Sequence, residues 1–232
     1  MTTTILVTGA TKGLGRETAR RLTSEGHAVF LGARDLDRGK EVAEQIGCEV
    51  VQLDVDDDGS VARALEVVQE RAGQLDVLIN NAGVSGPFKP VDEVTAKEMQ
   101  EVFNTNVFGV VRMMNNFLPL IEQSDNPVVV NVSSGLGSIG LSQAPTCFEF
   151  TVSGIAYHAS KAALNMVTVQ YAKAHPNMRI NAVDPGFTDT DMNNHHGTQT
   201  VEQGVEVIIR LALIGSSGPS GGFFHSRGPV PW

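Results

Sequence analysis

The feature that most constrains this chain is a rhythm of short β-branched and aliphatic runs, each followed by a longer stretch with helical spacing. Thr4–Thr8, His27–Gly32, Glu49–Leu53, Asp76–Asn80, Pro127–Val132 and Arg179–Val183 read as strands, with a short one near Phe223. Between them, Gly15–Glu25, Asp37–Ile46, Ser60–Ala72, Thr95–Gln123, Ile155–His175 and Val201–Leu213 read as helices. Strands that are apolar without a break need cover on both faces, and parallel neighbours need a crossover between them. The expected fold is α/β: a doubly wound parallel sheet with helices on both faces, and residues 1–232 forming a single domain. No repeat, low-complexity tract or linker breaks the chain.

Two segments depart from the rhythm. Residues 135–156 are punctuated by Gly, Ser and Pro and contain Phe148 and Phe150; residues 187–199 are polar and contain His195-His196. Both follow strands, so both are expected at the carboxyl edge of the sheet, where doubly wound folds bind ligands. They read as substrate-lid loops.

Charge and composition exclude several classes. The formal net charge of -9 argues against nucleic acid as a partner. Cys48 and Cys147 lie far apart, and no metal-ligand spacing of Cys and His occurs, so no metal site is expected. The adjacent histidines His195 and His196 form no helical ligand pair. No basic segment precedes an apolar stretch at the start, and no apolar run approaches membrane-spanning length. A cytoplasmic chain without a membrane partner is the expectation.

The first strand runs into Thr8-Gly9-Ala10-Thr11-Lys12-Gly13-Leu14-Gly15 and then a helix. Glycines at such a turn let backbone N–H groups approach a pyrophosphate, and the helix N-terminus adds partial positive charge. Placement between strand and helix gives the cluster its meaning. Further on come Asn80-Asn81-Ala82-Gly83, Asn106 within a helix, Asn131-Val132-Ser133-Ser134, Tyr157-His158-Ala159-Ser160-Lys161 and Asp184-Pro185-Gly186.

This series, in this order and at these strand ends, resembles the short-chain dehydrogenase/reductase family over nearly the whole chain. The resemblance implies a Rossmann-type sheet. It also implies a dinucleotide held by Gly9, Gly13, Leu14 and Gly15, with Asp54 and Val55 at the adenine and Asn80, Ala82 and Gly83 toward the adenosine ribose. Pro185 and Gly186 join the cofactor contacts, and Thr188 holds the nicotinamide amide. Asp54 has a competing role as a turn or helix cap, in the acidic run Asp54–Asp58.

The choice between NAD and NADP turns on the end of the second strand. A carboxylate there accepts from the ribose 2′-OH, and Asp35 stands at about the right distance. In the family's register, however, the position falls on Ala33, followed by Arg34, whose planar fork suits a phosphate. Lys12 is a second cation aimed at the same place. The expected cofactor is NADP(H).

Tyr157 and Lys161 stand four apart, on one helix face and about 6 Å along its axis. A neighbouring ammonium lowers a phenol's pKa, so the spacing predicts a tyrosine brought toward neutrality. The resemblance makes Tyr157 the proton donor, and Lys161 its partner and a ligand of the nicotinamide ribose. It makes Ser134 the carbonyl-orienting hydroxyl, with Ser133 the competing choice, and Asn106 the holder of a water that links Lys161 to solvent.

The expected activity is reduction of a small, apolar aldehyde or ketone. An NAD-dependent alcohol dehydrogenase is the alternative, and a non-catalytic dinucleotide sensor is the alternative from another class. The segment between Ser134 and Tyr157 is longer than the family usually has. Together with the Gly222–Trp232 ending it resembles the carbonyl-reductase branch. Phe148, Phe150, Phe187 and Met192 are the expected pocket residues. The long helices at 95–123 and 155–175 are the surfaces through which relatives pair; an insert before Tyr157 can cover them, so a homo-oligomer and a monomer both fit the sequence.

Overall fold

A computed structural model describes residues 2–232. The strands are β1 (Thr4–Val7), β2 (Ala28–Ala33), β3 (Glu49–Gln52), β4 (Val77–Asn80), β5 (Val128–Val132), β6 (Arg179–Asp184), β7 (Phe223–His225) and β8 (Gly228–Pro229). They form one sheet in the order β3-β2-β1-β4-β5-β6-β7-β8. Every pairing is parallel except β7 with β8. The two-residue β8, which was not expected, turns back on β7 through Ser226-Arg227 and is too short to show a period in sequence.

The helices are α1 (Gly13–Ser24), α2 (Leu36–Ile46), α3 (Asp58–Ala72), α4 (Ala96–Phe103), α5 (Gly109–Ile121), α6 (Ile139–Ser142), α7 (Phe148–Thr151), α8 (Ile155–Ala174) and α9 (Val201–Ala212). Successive strand residues point to opposite faces, and each face has its own core. Leu6, Phe30, Leu78, Val129 and Ile180 meet Met113 and Phe117 of α5, Val61 and Val68 of α3 and Leu164 of α8. Ile5, Val7, Leu31, Ile79 and Val130 meet Leu22 of α1 and Val205 and Ile208 of α9.

β1 is flanked by β2 on one side and β4 on the other. The connections reverse direction there, opening a crevice at the carboxyl ends of these strands.

One expected helix is broken. Thr95 caps α4 in a reciprocal box with Glu98, but Asn104–Phe108 is a π-helical segment that separates α4 from α5. The cause lies outside the helix. Asn106 bonds the Val84 backbone on both sides, its Nδ2 donating to Val84 O and its Oδ1 accepting from Val84 N, each at 2.9 Å. π segments inside helices gather at functional sites.

The 135–156 segment is ordered into a 3₁₀ turn at Gly135–Gly137 and the short helices α6 and α7. In the 187–199 segment, Asn194 and His195 both adopt left-handed backbone, with φ of 52° and 61°.

Candidate active site

The crevice is a cavity of about 480 Å³ that runs from the glycine turn to the α8 side chains. Gly9 is required at its floor: φ is +62°, and a Cβ there would lie 2.9 Å from Ala82 Cα. Thr8, just before it, is buried and accepts from Asn81 N at 3.0 Å and Ala82 N at 2.9 Å, tying the first turn to the end of β4. Gly13, Leu14 and Gly15 then open α1 on the cavity wall. The backbone therefore fits an anionic dinucleotide, with a helix start and close-packed glycines where a pyrophosphate needs them.

At one end of the cavity stand Arg34 and Arg38. Both are exposed, and neither forms an ion pair among the described residues. Asp35 lines the same cavity but forms no ion pair with either. Its Oδ1 caps α2, accepting from Asp37 N at 3.1 Å and Arg38 N at 3.2 Å. Lys12 reaches across the cavity mouth and bonds Asp191 Oδ2 at 3.1 Å. His195 braces the same loop through Asp189 at 2.6 Å and Asp191 at 3.2 Å. The Asp189 bond is the main reason its pKa stands above the ordinary histidine value.

Asp54 and Val55 line the wall as expected. Asp54 also serves as a turn cap, since its Oδ1 accepts from Asp56 N at 3.1 Å. α3 itself is capped by Asp57.

Three expected cofactor residues stand off the wall. The Asn80 side chain points into the sheet interior, where its Nδ2 donates to Asn131 Oδ1 at 2.8 Å. Its neighbour Asn81 lines the cavity instead. Thr188 is buried, with its hydroxyl placed between the Pro185 and Gly186 carbonyls and the Gln199 amide. Thr190 lines the wall in its place, beside Pro185. Gly186 holds a positive-φ turn behind Pro185. For Asn80 and Thr188 a partner distant in sequence, Asn131 or Gln199, holds the side chain off the wall. Ala82 and Gly83 are on the wall.

At the other end, Tyr157 and Lys161 project from α8. Lys161 Nζ lies 5.6 Å from the Tyr157 ring centroid and donates to Val132 O at 2.8 Å. Ser133 is excluded as a free hydroxyl, because it is buried and donates to Asn165 Oδ1 at 2.6 Å. Ser134 is left facing Tyr157. Asn106 Nδ2 also reaches Ser160 Oγ at 3.0 Å, one residue before Lys161.

The electrostatics differ from the simple helix-face expectation. Burial pushes the Tyr157 phenol up to about 12; the Ser134 hydroxyl opposes the rise and the Asp184 carboxylate adds to it. Burial also lowers Lys161 to about 8. Desolvation is the largest cause, and the Lys161 ammonium bonds a backbone carbonyl rather than the phenol. The phenol thus keeps its proton at neutral pH.

The expected pocket residues are only partly assembled. Phe148 and Phe187 pair, ring centroids 5.3 Å apart. Met192 lies at the edge of the main cavity. Phe150 is exposed and has no ring partner among the described residues. Phe88 was not anticipated and stands 6.4 Å from the Tyr157 ring. It lies in the loop after β4 but in no motif, so its place at the carboxyl edge of the sheet was the one signal the sequence offered for it. Arg38 did carry one: it is four residues beyond Arg34, one turn into α2.

A profile of the protein family described as short chain dehydrogenase matches residues 3–200. (+)-Neomenthol dehydrogenase of Arabidopsis thaliana is 34% identical over 97% of this chain and 96% of its own length. Salutaridine reductase of Papaver bracteatum is 31% identical over 94% of this chain and 93% of its own. The NADPH-bound carbonyl reductase from chicken fatty liver superposes with a TM-score of 0.89 at 28% identity, covering 100% of this chain and 99% of that one.

Proposed function

The chain belongs to the short-chain dehydrogenase family, and from that premise we propose that it is an NADPH-dependent carbonyl reductase with Tyr157 as proton donor. The observation that carries this reading is the pair of free guanidinium groups, Arg34 and Arg38, at one end of a crevice whose other end holds Tyr157 and Lys161, with Ser134 beside the phenol. An adenosine 2′-phosphate suits such a pair. Asp35, the one carboxylate that could instead favour a free 2′-hydroxyl, is engaged at the start of α2. The similarity to an NADPH-bound carbonyl reductase and to a salutaridine reductase supports the same reading.

When bound, the reduced nicotinamide supplies a hydride to the carbonyl carbon. The protein's part is to hold the oxygen of that carbonyl and protonate it. Ser134 donates a hydrogen bond to this oxygen and polarises it. Tyr157, still protonated, transfers its proton as alkoxide character develops, since an alkoxide is the stronger base. Lys161, fixed by Val132 O, places positive charge beside the resulting phenolate. Asn106, with its amide fixed between Val84 and Ser160, stands where it can hold water beside Lys161 and return a proton. Phe148, Phe187 and Met192 offer an apolar wall without cations, which suits neutral carbonyl compounds.

The test is loss of NADPH absorbance with a panel of aldehydes, ketones and quinones. Tyr157→Phe should lower turnover by about 10²–10⁴-fold, the scale of general-acid catalysis. Full turnover in that variant would remove Tyr157 from the reaction.

A further inference from the structure

The π turn at Asn104–Phe108 is tethered from outside its own helix. Such a turn breaks the regular backbone ladder, and the displaced groups need partners elsewhere. Arg112 of α5 supplies several. Its side chain leans back toward the helix start, as helical side chains do. Nη2 donates to Asn104 Oδ1 at 2.9 Å and Nη1 to Val55 O at 3.2 Å, with Asn104 O a longer partner at 3.4 Å. Nε donates to Asp58 Oδ1 at 2.8 Å, but Asp58 is exposed and solvent screens that pair. Arg112 itself is largely buried. Thr105 makes a second tether, donating to Asp56 Oδ2 at 2.9 Å. Both tethers run to the segment just after β3, and Gly109 packs on the same place: a methyl there would lie 2.9 Å from Val55 Cγ2.

Asn106 follows directly on the two anchored residues. Its Oδ1 and Lys161 Nζ face a common point, since a methyl on Gly83 would lie 3.2 Å from the first and 3.6 Å from the second. Relaxing the π turn to regular α-helix shifts the register by one residue, about 100° around the axis. The amide would then leave Val84, Ser160 and Lys161.

We propose that Arg112 and Thr105 are positioning residues for the reduction: they fix the π turn so that the Asn106 amide faces Lys161. This rests on the reductase reading, in which Asn106 holds water beside Lys161 and returns a proton. Neither residue touches the reacting atoms; both act through Asn106.

The first measurement needs no turnover. The Val84 N–H donates to Asn106 Oδ1, so its hydrogen exchange, followed by NMR, reads the seat of Asn106. Thr105→Val keeps the side-chain shape and removes the bond to Asp56, while Arg112→Gln removes the guanidinium fork. Each should speed Val84 exchange by about tenfold, the scale of one lost hydrogen bond, with Leu6 in β1 unchanged. The second measurement is turnover with NADPH of benzaldehyde, acetophenone and naphthoquinone. Each variant should lower kcat by about tenfold with KM for NADPH nearly unchanged. On an Asn106→Ala background neither should lower kcat further, because effects that act through one residue do not add. Val84 exchange at the wild-type rate in both variants overturns the proposal, as does a further fall in kcat on the Asn106→Ala background; both leave the reductase reading standing. If wild type reduces none of the three compounds, the reductase reading falls and takes the proposal with it.

Discussion

Lys12 and Asp191 are joined at 3.1 Å across the mouth of the crevice, linking the glycine turn to the 187–199 loop. Both side chains are more than half exposed, so solvent screens the bond and it is weak. It nevertheless occupies the cation that would otherwise meet a phosphate. Asp191→Ala should free Lys12 and tighten NADPH by up to about fivefold, with NADH unchanged, as read by calorimetric titration. Weaker NADPH binding would instead show that the bridge serves the bound state by holding the loop closed.

Arg34 and Arg38 give the sharper cofactor test. Each should contribute a charge-assisted bond to a 2′-phosphate, so Arg34→Ala and Arg38→Ala should each weaken NADPH by about 1.5–3 kcal/mol. NADH, which lacks that phosphate, should bind nearly as before. Fluorescence titration with both cofactors reads the difference, and equal losses would reject the NADPH assignment.

Lys161 predicts a particular pH dependence. Burial lowers its pKa from 10.5 to about 8, so between these values the unfolded chain binds the extra proton. Stability therefore rises with pH across that window, and the cost of holding a buried ammonium is fully present below it. Lys161→Met should lose activity and lose this slope. Urea denaturation at a series of alkaline pH values measures it; a variant with the wild-type slope would assign the titration to another group.

The polar ladder beneath the site predicts a stability effect. Asn131 is buried, accepts from Asn80 Nδ2 at 2.8 Å and donates to Thr168 Oγ1 of α8 at 2.9 Å. Asn131→Ala removes the Asn80 amide's bond, while Thr168 keeps its own bond to Leu164 O at 2.8 Å, so the cost is about 1–3 kcal/mol for the one buried group left unsatisfied. The urea midpoint should fall accordingly. Turnover should fall further than cofactor affinity, because the ladder sets the seat of the helix that carries Tyr157. A midpoint within error of wild type would show that the neighbours re-pair.

The sequence by itself determined the layered architecture, the glycine turn and the Tyr157–Lys161 spacing. These depend on periods of two and 3.6 residues and on residues only a few positions apart. Tertiary structure decided which of two nearby residues meets the site: Asn81 over Asn80 and Thr190 over Thr188 on the crevice wall, and Ser134 over Ser133 beside the Tyr157 phenol. Asn165, Asn131 and Gln199 make those choices by drawing the other side chain inward. It also decided the break at Asn104–Phe108, through a bond to Val84, and kept the Tyr157 phenol protonated where spacing alone predicted an acidic one. Burial and hydrogen-bond partnership are set by residues that meet only when the chain is folded, so no local pattern records them.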